Sequence, residues 1–220
     1  MPIAARPTSR DNSGVLCDPH YVAFEPDNEQ KLLALIRTMQ SEARNNEQLL
    51  ARSQARELSI LTADSLHTLF ARLTHGLRDS FSLERVTLVL CDPDHELRHL
   101  LLADGGPDSV PPEVKFFDTL SGLTPQYSAL HRPWLGPFRA VDHQLIAGRG
   151  TFGSLAILGL RRQDYLIVSV YLLSADALRY QRALARDFLT HLGVIASFAL
   201  ENTVNRARLL RSGFTDVLTG

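Results

Sequence analysis

The chain has 220 residues, 45% of them hydrophobic, with 23 lysines and arginines against 24 aspartates and glutamates and a net charge of -1. That length suits one domain with extensions or two small ones, and the near-neutral balance removes the electrostatic ground for a nucleic-acid partner. Two distant cysteines, Cys17 and Cys91, make no disulfide framework, and no apolar run approaches the roughly 20 residues of a membrane span, so a cytoplasmic protein without a membrane segment is expected.

Residues 1–26 carry Pro2, Pro7, Pro19 and Pro26 among small polar residues, the composition of a flexible leader. From Asp27 the pattern turns helical. Leu32, Ile36, Met39, Ala43 and Leu50 alternate spacings of four and three, with Asn46 and Ser53 in phase, which is a heptad seam. The remaining faces are polar, so this helix either pairs with a second copy or lies edge-on against its own domain. A second helical stretch spans about Glu57 to Phe81, with a break at Thr62–Ser65 and a wider apolar stripe through Leu58, Leu61, Leu66, Leu69, Phe70, Leu73 and Leu77.

The period then becomes two. Arg85–Cys91 reads as a strand, Asp92-Pro93-Asp94-His95 as a turn and Leu97–Leu102 as the return strand of a hairpin. Glu113–Leu120 reads as a short helix after Pro111-Pro112, and Gly122–Pro137 as irregular chain. Strands are expected at about Gln144–Ala147, Gly153–Leu160 and Tyr165–Leu173, and a long helix at Arg179–Ser212. That last helix is apolar over two neighbouring faces, one through Phe188, Leu192, Ile195 and Ala199, the other through Leu189, Ala196, Leu200 and Ala207. Two apolar faces need two covers, its own sheet and a partner helix. Strands grouped between terminal helices give an α+β fold, with an antiparallel sheet covered on one face by those helices.

This order resembles GAF and PAS-type sensor domains. Gly122-Leu-Thr-Pro-Gln-Tyr, Arg132-Pro-Trp-Leu-Gly136, Gly153-Ser-Leu-Ala-Ile-Leu-Gly-Leu160 and Asp187-Phe-Leu-Thr-His-Leu-Gly193 resemble, in sequence order, the GAF-like domain-of-unknown-function 484 family over roughly residues 30–205. At the C-terminus, Thr215-Asp216-Val217-Leu218-Thr219-Gly220 resembles the opening of a GGDEF domain, the catalytic domain of diguanylate cyclases, which begins Asp-x-Leu-Thr-Gly and continues Leu-x-Asn-Arg. The resemblances imply a leader (1–26), a coiled-coil-like helix (27–56), a GAF-like sensor (57–200) and a signalling helix running into the start of a GGDEF domain (201–220). They also imply a chain that is not itself an enzyme. It would act as a homodimer, because the cyclase reaction joins two GTP molecules and needs two catalytic domains face to face. The candidate dimer residues are Leu32, Ile36, Met39, Ala43, Leu50, Ile195, Ala199 and Leu200. Gly213 is either a hinge to the output or a helix stop, with Asp216 just beyond it, and Asn202 and Arg206 interrupt the seam.

In GAF domains the ligand pocket lies between the sheet and loops such as the one leading into Trp134. Trp134, Phe138, Arg139 and His143 therefore either wall a site for a small anion or aromatic ligand, or anchor a Pro-rich loop on the core. Gly148-Arg-Gly-Thr-Phe-Gly153 matches G-x-G-x-x-G, but a strand follows it where the dinucleotide motif needs a helix, so it reads as a glycine-rich hairpin turn. His95 and His99, four apart, bracket a turn and suit solvated histidines better than metal ligands. Cys91 has no flanking nucleophile motif, and His191 reads as a packed or interfacial histidine. No residue set calls for a cofactor or a metal.

Overall fold

The computed structural model describes residues 26–105, 110–121, 123, 130–162, 165–181 and 183–219. Most of the expected leader, and all of the Gly122–Tyr127 motif except Leu123, lie outside them. The chain divides into two units, Met1–Glu47 and Gln48–Gly220. In the first, the described residues are the beginning of helix α1 (Pro26–Leu61), where Leu32, Leu33, Leu35, Ile36 and Met39 are all exposed. No described helix is long and apolar enough to cross a membrane.

The second unit is α+β. After α1 ends, the Thr62–Ser65 break appears where expected, and the Ser65 hydroxyl accepts from the Thr68 amide at 3.1 Å to start α2 (Leu66–Ala71). A π turn (Arg72–Gly76) joins α2 to α3 (Leu77–Phe81). Strand β1 (Arg85–Cys91), helix α4 (Glu96–Gly105), strands β2 (Val114–Phe117) and β3 (Trp134–Pro137), helix α5 (Ala140–Ala147), strands β4 (Ser154–Arg162) and β5 (Tyr165–Ser174), and helix α6 (Ala183–Thr219) follow. The sheet order is β2-β1-β5-β4-β3. It is mixed rather than antiparallel, because β1 and β2 run parallel while the other neighbours are antiparallel.

That parallel pair replaces the expected hairpin. Leu97–Leu102 belongs to α4, where Leu97, Leu100 and Leu101 are buried at helical spacing. The buried Asp92 carboxylate starts the helix by accepting from the amides of Leu97 (3.0 Å) and Arg98 (2.9 Å), so it satisfies free donors of the first turn at the positive end of the helix dipole. A helix after β1 forces a crossover, and Val114–Phe117 then pairs parallel to β1 instead of forming the expected short helix. Likewise Gln144–Ala147 lies in α5, whose buried His143, Ile146 and Ala147 again have helical spacing.

Two layers of core flank the sheet. On one side α2, α4 and α6 cover Val86, Leu88, Leu90, Leu158, Val170 and Leu172. On the other, a smaller cluster includes Val89, Ile146, Leu155, Ile157, Tyr171 and Leu173. The final helix is longer than expected. It begins at Ala183, passes Gly213 and continues to Thr219, so Gly213 does not stop it. Ala199 and Leu200, expected on a partner-facing stripe, are buried in the domain's own core among Leu192, Ala196 and Val204.

Candidate functional site

The smaller core carries the sequence-selected aromatic cluster. Strand register places Trp134 beside Ile157 and Tyr171, on the sheet face that α5 covers. The chain leaves β3 at Pro137, an edge position that needs no ladder donor. Phe138 then donates from its amide to Gly153 O at 3.1 Å. Arg139 is extended at the N-cap of α5, and its amide donates to Nδ1 of His143 at 3.0 Å, while the His143 amide donates to Arg139 O at 2.9 Å.

His143 is fully buried. Its ring lies 5.5 Å from Trp134 and 5.7 Å from Phe138, centroid to centroid, and Phe138 meets Phe152 edge-on at 5.2 Å. Nδ1 accepts, so the proton of the neutral ring sits on Nε2. That N–H has no hydrogen-bond partner among the described residues. On the same face, two residues along β5 from Tyr171 and opposite Val89 and Gly159, the fully buried Ser169 hydroxyl also has none. An unsatisfied buried donor costs about 1–3 kcal/mol, so each group gains from any acceptor that reaches it.

The far end of α5 is held by two cations. Lys115 Nζ donates to Leu145 O at 2.9 Å and the Arg85 guanidinium donates to Ala147 O, an arrangement that matches the negative end of the helix dipole. Gly148 follows with φ 71°, the left-handed region that suits glycine at a helix end. The G-x-G-x-x-G segment therefore links a helix to a strand rather than closing a hairpin. Arg85 also lies 5.4 Å over the Phe152 ring.

Trp134, Phe138 and His143 thus come together, while the Arg139 side chain is exposed and contributes its backbone instead. Sequence reasoning missed Phe152, Ser169 and Arg85. The helical spacing of His143, Ile146 and Ala147 was the available signal for α5, but register alone brings in Ser169. Outside this cluster, His95 pairs with Asp118 at 3.3 Å, and exposed His191 pairs with Glu57 at 3.2 Å rather than packing. Burial raises the Cys91 thiol pKa, away from nucleophile chemistry. Among the described residues no three histidine, cysteine or acidic groups converge to hold a metal. A separate groove of about 460 Å³ runs between the Leu130–Pro133 segment and α6, lined by Leu130, Arg132, Gly159, Arg161, Val194 and Phe198 among others.

Burial lowers the His143 pKa. Acid should therefore protonate the unfolded chain first, leaving stability complete above about pH 6.5 and falling by up to about 1.4 kcal/mol per pH unit below it, until the native pKa is reached. His143→Asn keeps an acceptor for the Arg139 amide but does not titrate. Urea denaturation between pH 7.5 and 5 should show a shallower acid loss in the variant. Equal slopes would remove the buried neutral imidazole from the account.

The family model described as "Protein of unknown function, DUF484" matches residues 19–205. No curated protein matches the chain. Among solved structures, the GAF domain of an Acinetobacter phosphoenolpyruvate-protein phosphotransferase is similar at 15% identity and a TM-score of 0.48, covering 70% of this chain and 92% of that one.

Proposed function

The chain belongs to the DUF484 family, and from that premise we propose that it is a GAF-like regulatory sensor and dimerisation module, cytoplasmic and without chemistry of its own, that controls a GGDEF diguanylate cyclase domain downstream of it. The observation that carries this reading is the continuity of α6. One helix packs on the sheet at Leu189–Val204 and runs on through Gly213 and Asp216 to Thr219, inside the segment that resembles a GGDEF opening. A shift of the sheet-packed half is then delivered directly to the output. Exposed seams support pairing: Leu32, Ile36 and Met39 in the first unit, and Phe198 and Leu209 in the second. Two paired helices would set how often two catalytic domains meet, a balance that a ligand shifts only by its differential affinity for the two arrangements. The orphan His143 N–H and Ser169 hydroxyl suit a small, partly aromatic ligand bearing hydrogen-bond acceptors.

The test extends the reading frame beyond Gly220 and assays cyclic di-GMP formation from GTP. One residue inserted after Ser212 turns the output by about 100° and should change the rate several-fold, and seven inserted residues should restore it. A frame that encodes no GGDEF domain, or a rate indifferent to insertion, would sink the cyclase coupling. In that event a GAF-like small-ligand domain serving another output becomes the better reading.

A further inference from the structure

Helix α6 carries a second stripe, rotated away from the buried one. Ile195, Phe198, Asn202, Asn205, Leu209 and Ser212 follow one another at spacings of three and four. Ile195 is half-buried and the other five are exposed, Phe198 at 61% and Leu209 at 72%. Their spacing is a heptad seam, with Ile195, Asn202 and Leu209 at one core position and Phe198, Asn205 and Ser212 at the other.

We propose that a second copy of this chain docks on this stripe of α6, in parallel and in register. The inference rests on the dimer reading above and names its surface and orientation. Charge selects the occupant. In a parallel, in-register pair, the residue just before one core position meets the residue five places further along the other helix. Glu201 and Arg206 stand at those two places. Glu201 already lies 4.0 Å from Arg162 of its own copy, and the two-fold axis brings it a second cation, Arg206 of the partner subunit, with the reverse contact generated by symmetry. The other cation on the Glu201 flank, Arg208, is drawn to α4, where its guanidinium grips both oxygens of Glu96, one at 2.6 Å. Arg206 also lies near Asp64 of its own copy and is exposed. An antiparallel pair sets the Glu201 flank against its own kind and loses the match. Asn202 adds a second selector, because a polar residue at that core position favours the register in which it meets its own copy. Ala199 and Leu200 cannot serve, since their own core covers them.

The test uses the full chain with Cys17→Ser and Cys91→Ser, light scattering over a dilution series and mild oxidation of single-cysteine variants. Asn205→Cys on the seam should cross-link between copies at least about tenfold faster than Leu210→Cys one face away, and Phe198→Glu should weaken the dimer by at least about tenfold. Equal cross-linking rates, or a dimer indifferent to Phe198→Glu, overturns the proposal. If Ile36→Glu alone dissociates the dimer, the dimer reading stands and the α6 surface falls. A wild-type chain that is monomeric throughout removes both.

Discussion

Leu200→Ala is expected to destabilise the domain by about 3 kcal/mol, while Phe198→Ala, two residues away on the same helix, should change monomer stability by no more than about 0.5 kcal/mol. Leu200 is fully buried in the main core with Leu192, Ala196 and Val204. Truncation there removes the transfer energy of the lost methyls and leaves a void between α6 and its neighbours. Phe198 is largely exposed and touches little that could collapse. Urea midpoints measured well below any dimer concentration separate the two, since association would otherwise add to apparent stability. If both substitutions cost the same, the rotation of α6 described above is wrong. The contrast also decides how a dimer is probed, because a charge placed at Leu200 unfolds the domain and says nothing about its partner.

The second large effect is expected at Gly153, where alanine should cost about 2 kcal/mol through overpacking. A Cβ there would press into the carbonyl oxygen of Ala175 and lie 2.7 Å from the Ala177 amide nitrogen. Both are backbone atoms, held by bonds such as Gly153 N to Ser174 O at 2.8 Å, so neither yields cheaply. Differential scanning calorimetry should show the loss in melting temperature. Added ATP, GTP or NAD should move neither wild type nor variant, because this glycine serves a close backbone approach between β4 and the chain leaving β5. A nucleotide-dependent rise in wild-type melting temperature alone would return the motif to phosphate binding.

The parts of the fold that were legible had a period long enough to be unambiguous. Strands β1, β4 and β5 were read within a residue or two because β-branched and apolar residues run through them. The Leu97–Leu102 segment was misread because a short apolar run fits either period. The deciding interaction, the Asp92 carboxylate on the Leu97 and Arg98 amides, lies outside that window. A strand in place of α4 removes the crossover, and an antiparallel sheet is then the simplest arrangement. The stripe on α6 was misassigned for a related reason. Two adjacent apolar faces were visible, but spacing does not say which one meets the sheet, and the buried choice fell on Ala199 and Leu200. At the candidate site, the sequence pointed to Trp134, Phe138, Arg139 and His143 together, and α5 sets the His143 ring against the two aromatics while it leaves the Arg139 side chain exposed. Ser169 is brought in by register with Gly159 and Val89, which no local pattern encodes.

The pairing of β1 with β5 has a consequence for how the chain is made. Val86 lies opposite Leu172 and Leu88 opposite Val170, so the middle of the sheet joins the beginning and end of the domain. On the ribosome β1 and β2 emerge first, with the central edge of β1 unpaired until β5 has cleared the exit tunnel. Such non-local closure slows folding and leaves an apolar strand exposed meanwhile. The nascent domain is therefore most vulnerable to aggregation, and most dependent on chaperones, between the emergence of Cys91 from the exit tunnel and that of Ser174.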